Sequence, residues 1–113
     1  YSTKELYEGV YKRIGIPIVF DYHHHALHPG GQPEQEALEM ALSTWPRMIV
    51  PVVHYAESRC EEYNDPKIKP QAHSDYVLTP LNDYGNDFDV MIEAKHKELA
   101  LLRYRKIILE NAA

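Results

Sequence analysis

Ile16-Pro17-Ile18-Val19-Phe20-Asp21-Tyr22-His23-His24-His25 is the stretch on which the reading of this chain turns. An unbroken apolar run ends in a carboxylate, and imidazoles stand two, three and four residues beyond it. A continuous run rich in β-branched residues, Ile16 to Phe20, reads as a strand buried on both faces, the kind found in parallel sheets. Parallel α/β proteins gather their chemistry at the carboxyl ends of strands. Aspartate and histidine together suit borderline divalent ions. The stretch therefore predicts metal-ligating groups at the carboxyl edge of a parallel sheet. Histidine triplets also occur in expression tags, but tags stand at termini, and this one directly follows a strand.

Upstream, Ser2 to Arg13 reads as a helix. Ser2 or Thr3 caps it, Glu5 completes a capping box with Ser2, Leu6, Tyr7 and Val10 give it an apolar face, and Gly15 ends it. Downstream, a loop runs through His28-Pro29-Gly30-Gly31. Pro33 suits a first helical position. Glu34 to Trp45 is a second helix, with Ala37, Leu38, Ala41 and Leu42 at helical spacing, and Pro46 stops it. Met48 to Val53 is a second apolar run and a second strand, interrupted by Pro51. Tyr55 to Asp87 is long, polar and irregular, with a short helix expected near His73 to Leu81. Loops of this length in a compact domain are usually functional or mobile. Phe88 to Ile92 is a third strand. Glu93 to Asn111 is a closing amphipathic helix with Ala94, Leu101, Tyr104 and Ile108 on one face.

Strands alternating with helices imply an α/β fold with a parallel sheet and right-handed crossovers. Three strands are few for an independent parallel sheet, whose faces and edges need cover. Residues 1–113 are therefore expected to be a single partial domain, the C-terminal portion of a TIM (β/α)8 barrel. The alternative is a small self-contained α/β domain.

Composition narrows the class. With 113 residues and 44% hydrophobic content the chain is ordinary for one folded domain. One cysteine, Cys60, excludes an internal disulfide framework and a cysteine-rich zinc site. It has no neighbouring base that would activate it. No apolar run reaches the roughly 18–20 residues of a membrane helix, and no basic-then-apolar signal segment opens the chain. The expectation is a protein that is not secreted: cytoplasmic in a bacterium, nuclear or mitochondrial in a eukaryote. The formal charge of −5 argues mildly against a nucleic-acid partner. Bound divalent ions would invert that sign locally, and Lys95, Lys97, Arg103, Arg105 and Lys106 gather on the last helix.

Each expected strand ends in a potential ligand: Asp21 with His24 close behind, then His54, then Glu93. His73 lies in the long loop. In a parallel sheet Asp21, His54 and Glu93 converge on one rim. Mixed Asp/Glu/His sets suit Zn²⁺, Mn²⁺ or Fe²⁺, and carboxylates bridge paired ions. Each residue also has an ordinary reading: a charged strand end for Asp21, a satisfied histidine for His54, a helix N-terminal acid for Glu93. Their joint occurrence favours the metal. Most of the nine tyrosines are expected to pack in the core or on the surface. Tyr22, Tyr55 and Tyr76 stand beside proposed ligands, where aromatic rings can stack on bases. Lys95 and Lys97 are candidate phosphate contacts.

Phe20-Asp21-Tyr22-His23-His24-His25, His54-Tyr55-Ala56-Glu57-Ser58-Arg59, Ala72-His73-Ser74-Asp75-Tyr76-Val77 and Asp89-Val90-Met91-Ile92-Glu93-Ala94-Lys95-His96-Lys97-Glu98 together resemble, in order, the C-terminal motifs of the UV damage endonuclease family. The resemblance implies a TIM barrel with a multi-metal site that nicks damaged double-stranded DNA 5′ to UV photoproducts by metal-assisted hydrolysis. It carries over Asp21, His24, His54, His73 and Glu93 as metal ligands and His25 as a residue orienting one of them. Mn²⁺ is the expected ion, with Mg²⁺, Zn²⁺ and Co²⁺ as alternatives. Some members carry a lysine two residues before the His54 position, where it joins the metal site; Val52 stands there in this chain. The family's first five strands, with their own histidine and glutamate ligands, have no counterpart in these residues. The piece alone is therefore expected to be inactive.

The sequence also accommodates two other readings. One is a structural half-barrel module that self-associates to cover apolar faces and open edges. The other is a sugar isomerase or epimerase on the same barrel, which shares the rim carboxylates and histidines.

Overall fold

A computed structural model describes residues 1–112; Ala113, which the expected domain includes, lies outside the described residues. The chain divides into two compact units, Tyr1–His54 with Asp83–Met91, and Tyr55–Asn82 with Ile92–Ala113. Its elements are helix α1 (Thr3–Leu6), a π-helical turn (Tyr7–Tyr11), α2 (Lys12–Ile14), strand β1 (Phe20–Asp21), α3 (Tyr22–Leu27), α4 (Glu34–Leu42), β2 (Val52–Tyr55), α5 (Arg59–Glu62), β3 (Asp89–Ile92) and α6 (Lys97–Ala112).

The three strands form one sheet in the order β1-β2-β3. β1 and β2 are parallel, with Phe20 opposite Val53 and Asp21 opposite His54. On the other side of β2, the Asp89 amide donates to the Pro51 carbonyl at 2.8 Å and the Glu93 amide to the Tyr55 carbonyl at 2.9 Å. Both bonds climb the two strands in the same direction, so this pair is parallel too.

In the first unit the capping box forms as the sequence requires. The Ser2 hydroxyl accepts from the Glu5 amide at 3.2 Å, and Glu5 Oε1 accepts from the Ser2 amide at 3.0 Å. Gly15 closes the segment with φ 72°, the left-handed value expected of a helix-ending glycine. Gly30, at φ 61°, leaves room for the cap: a Cβ built there would stand 2.6 Å from Ser2 Cβ. The α1 and α3 helices and β1 pack on α4. Ala37, Leu38 and Ala41 of α4 are fully buried with Phe20 and Val53.

The first strand is shorter than the apolar run that predicts it. The Ile18 amide donates to Thr44 Oγ1 at 2.8 Å, and the Ile18 carbonyl accepts from Trp45 Nε1 at 2.8 Å. Side chains from the turn after α4 thus occupy the groups a neighbouring strand would have taken, and ladder pairing begins only at Phe20. Burial alternates in place of the expected cover on both faces: Ile18 and Phe20 are inside, Ile16 and Val19 exposed.

Other expectations are corrected in the same way. The second strand begins after Pro51, because proline has no N–H for the ladder. Met48 to Val50 are exposed, with Ile49 turned back onto the Pro46 carbonyl. Pro33 caps α4 without entering it. His73 to Leu81 contains no helix; the short helix of that region is α5.

In the second unit Ala56, Val77, Ala100 and Tyr104 are buried. The last helix starts at Lys97, four residues later than expected, so Ala94 is outside it. It buries Ala100 and Tyr104, while Leu101 and Ile108 face solvent. The Tyr104 hydroxyl accepts the Leu81 amide at 2.9 Å, and its ring stacks on Tyr55 with centroids 6.1 Å apart.

Leu38→Ala is expected to destabilise the protein by about 3 kcal/mol, since a fully buried leucine is removed. Leu101→Ala should change stability by less than about 0.5 kcal/mol. Urea unfolding of the two variants checks the assignment of faces.

Candidate metal centre

Asp21 ends β1 and begins α3. Its backbone is extended, φ −115° and ψ 109°, and its Oδ1 accepts the His24 amide at 3.0 Å. The carboxylate is therefore an N-cap, which fixes its direction and leaves Oδ2 outside that bond. His54, the third residue of β2, is its direct register partner. Both are half-buried. The parallel pairing of β1 and β2 thus sets a carboxylate and an imidazole side by side at one end of the sheet, as the sequence pattern implies.

The histidine triplet separates into different environments because it lies on a helix and not in a loop. His23 is buried. His24 is exposed, with Nε2 2.7 Å from the Tyr1 carbonyl oxygen and its ring centroid 6.1 Å from that of His28. His25 is buried against Phe20, ring centroids 5.4 Å apart, and its Nδ1 has no hydrogen-bond partner among the described residues. The structure therefore sets Asp21 beside His54 and turns His24 toward the chain start.

Glu93 follows β3 and is half-buried. It lies four residues before α6, so its expected ordinary role as a helix N-terminal acid does not apply; Glu98 stands in the first turn instead. His73 sits in an isolated antiparallel bridge with Ser58. The two flanking bonds run from the Arg59 amide to the Ala72 carbonyl at 2.9 Å and from the Ser74 amide to the Glu57 carbonyl at 2.8 Å. The same loop is tied to the segment after Glu93: the Lys95 amide donates to Ser74 at 2.9 Å and the His96 amide to Asp75 at 3.1 Å.

The proposed stacking residues are occupied by the fold. Tyr22 is 5% exposed and packs edge-on against Phe20, with centroids 5.0 Å apart, so it is a core residue and not a surface for bases. The Tyr55 hydroxyl lies within hydrogen-bond distance of Glu57 Oε2 and the Thr79 carbonyl, and its ring packs on Tyr104. Tyr76 stacks on His96, centroids 4.7 Å apart with planes 9° apart, and carries the Arg103 guanidinium over its ring. Lys95 and Lys97 are exposed.

A polar cluster that sequence reasoning missed centres on the buried Asp75. It accepts from Arg59 at 2.6 Å and from the Tyr63 hydroxyl, with His96 Nε2 at 3.8 Å. The Tyr63 bond, helped by the Arg59 and His96 charges, holds the Asp75 carboxyl below the usual carboxylate range. The same bond raises Tyr63 above the ordinary phenol value. Arg59 and Tyr63 are helical neighbours four residues apart, with the guanidinium 4.7 Å from the ring centroid; the bridge between the 58 and 73 segments brings Asp75 to them.

Residues 1–111 match the sequence profile of a family described as UV-endonuclease UvdE. The chain belongs to that family. It is similar to the UV DNA damage endonuclease of Bacillus mycoides (strain KBAB4), 34% identical over 112 residues that cover 91% of this chain and 33% of the relative. The corresponding protein of Bacillus cereus (strain G9842) is 35% identical over the same shares. A solved structure titled "Crystal Structure of SacUVDE" superposes with a TM-score of 0.76 and 27% identity, covering 99% of this chain and 37% of that one. The chain thus spans about a third of the length of the curated relatives it matches. The fold is the expected segment of a TIM-barrel α/β architecture, three parallel strands with flanking helices. No helix among the described residues is long and apolar enough to cross a membrane.

The depressed Asp75 carboxyl has a signed consequence. Its stabilisation is present in full above the unfolded value of roughly 4 and is lost as pH falls through the lower folded value. Asp75→Asn should therefore be less stable than wild type at pH 7, and the difference should narrow as pH falls below about 4. Urea unfolding at the two pH values measures it.

Proposed function

We propose that the whole protein containing this chain is a metal-dependent DNA repair endonuclease that nicks double-stranded DNA 5′ to UV photoproducts. The observation that carries the reading is a family match over almost the entire chain, joined to an Asp/His/Glu donor set at strand ends. Asp21, His54 and Glu93 each offer one ligand atom, two carboxylate oxygens and one imidazole nitrogen. Each stands at or just past the carboxyl end of a strand, and the three strands are consecutive neighbours in one sheet. That donor chemistry fits a divalent ion such as Mn²⁺. When bound, such ions lower the pKa of water and stabilise charge on a phosphodiester.

The chain's own residues contribute placement. The Asp21 cap on α3 holds one carboxylate still, and the β1–β2 register fixes His54 beside it. His73 enters as a further ligand, on a loop tied to the segment after Glu93. His24 would need to leave the Tyr1 carbonyl to join them, so we assign it a lesser part. Val52 cannot supply the lysine-derived ligand found in some members. The exposed Lys95 and Lys97, beside Glu93, are suited to DNA phosphate.

Asp21→Asn isolates the ligand role, because asparagine caps a helix as well as aspartate does. It should keep α3 and lose Mn²⁺ affinity by at least about tenfold, as should His54→Ala. Titration of Mn²⁺ by isothermal calorimetry measures both. With UV-irradiated duplex and Mn²⁺, the full-length protein should nick 5′ to the lesion and both variants should fail. The 113 residues alone are expected to leave the duplex intact. Lesion-independent cleavage, or full activity of both variants, would reject the reading.

A second reading concerns the isolated chain. β3 is a sheet edge whose Val90 and Met91 are exposed, and Ile16 and Val19, ahead of the opposite edge strand, are exposed too. Open edges with apolar side chains pair readily. We expect the 113-residue chain to self-associate at micromolar concentration; a monomeric mass by light scattering would count against this.

A further inference from the structure

The loop that carries His73 has no regular secondary structure between α5 and β3, yet its backbone is held at successive points by two side chains. Glu62 Oε1 accepts the Asp75 amide at 2.8 Å, and Oε2 accepts the Tyr76 amide at 3.0 Å. Glu57 Oε1 accepts the Leu78 amide at 2.8 Å, and Oε2 accepts the Thr79 amide at 3.1 Å. Two carboxylates five residues apart in sequence thus take four loop amides, each with both oxygens engaged. Glu57 also accepts the Ser74 amide through its backbone carbonyl at 2.8 Å. Bonds to an ionised acceptor are roughly twice as strong as neutral ones. A loop with no ladder or helix of its own depends on such bonds for a single conformation.

We propose that Glu62, seconded by Glu57, is a positioning residue for the metal ligand His73. The inference rests on the metal reading above and adds the device that places one ligand. The Ser58–His73 bridge fixes the backbone on both sides of His73, through the Ala72 carbonyl and the Ser74 amide. Glu62 fixes it two and three residues beyond, and the Lys95 and His96 amides hold Ser74 and Asp75 from the Glu93 segment. His73 therefore sits in a backbone clamp, and Glu62 is the nearer of the two side-chain anchors that hold the loop just beyond it. Glutamate is suited to the task because two adjacent N–H groups need two acceptor oxygens. Glutamine would offer one oxygen and set its NH₂ against the second amide.

The test uses the full-length protein and three kinds of variant. Glu62→Gln removes one acceptor, Glu62→Asp keeps both on a shorter stem, and Glu61→Gln changes an exposed neighbour as a control. In metal-free protein, Glu62→Gln should speed amide hydrogen exchange at Asp75 and Tyr76, with Glu61→Gln unchanged. Mn²⁺ affinity should fall about tenfold in Glu62→Gln and less in Glu62→Asp. In a His73→Ala background the same Glu62→Gln change should cost less than twofold, because the ligand it positions is gone. Equal losses in both backgrounds would make Glu62 a general structural residue and overturn the proposal. So would unchanged affinity in Glu62→Gln when Asp21→Asn has lost it. If Asp21→Asn binds Mn²⁺ as wild type does, the metal reading itself has failed, and that outcome is separate from the first two.

Discussion

The Ile18 peptide is the constraint on which the first unit depends. Its N–H and C=O are both taken by side chains from the turn just after α4, Thr44 and Trp45. Thr44 in turn donates to the Ala41 carbonyl at 2.6 Å, so the hydroxyl links the last turn of the helix to the approach of the strand. Each buried bond of this kind contributes about 1 kcal/mol net, and leaving one partner unmet costs more. Their geometric effect is larger than their energy. They set where β1 begins, and the β1–β2 register then places Asp21 opposite His54. A slip of one residue would send Asp21 to the other face.

The second unit solves a different problem. It must hold His73 and Glu93 on chain that is mostly irregular. It does so with backbone bonds between the 57–59, 72–75 and 93–96 segments, supplemented by the carboxylates of Glu57 and Glu62. The Asp75 cluster with Arg59 and Tyr63 lies in the same place. Polar residues that look like a solvated loop in the sequence are the framework of this unit. This explains how a segment poor in apolar residues keeps Val77 fully buried.

Much of the fold was legible because it rests on local rules. The Ser2–Glu5 box, Gly15 as a helix end, the α4 stripe of Ala37, Leu38 and Ala41, and the three strands in parallel order all follow from spacing and cap chemistry. Strand ends were less legible. Side-chain capture at Ile18 and the missing donor of Pro51 shorten β1 and β2, and neither effect appears in an apolar pattern. The last helix misled for a related reason. Its amphipathic spacing starts at Glu93, but Lys95 and His96 donate to the loop, and the helix begins only at Lys97. Among candidate ligands, the Asp21–His54 pairing was readable from two strand ends. The turn of His24 toward Tyr1, and the burial of Tyr22, depend on α3 forming where a loop was expected.

In the proposed site, His54 ligates a divalent ion beside Asp21. Pulsed electron paramagnetic resonance of Mn²⁺ added to protein labelled with ¹⁵N-histidine tests it most directly. Ligation by His54 should give a hyperfine coupling to imidazole nitrogen that loses intensity when His54 is replaced by alanine. A bound Mn²⁺ with no nitrogen coupling, or a coupling indifferent to that replacement, would contradict it.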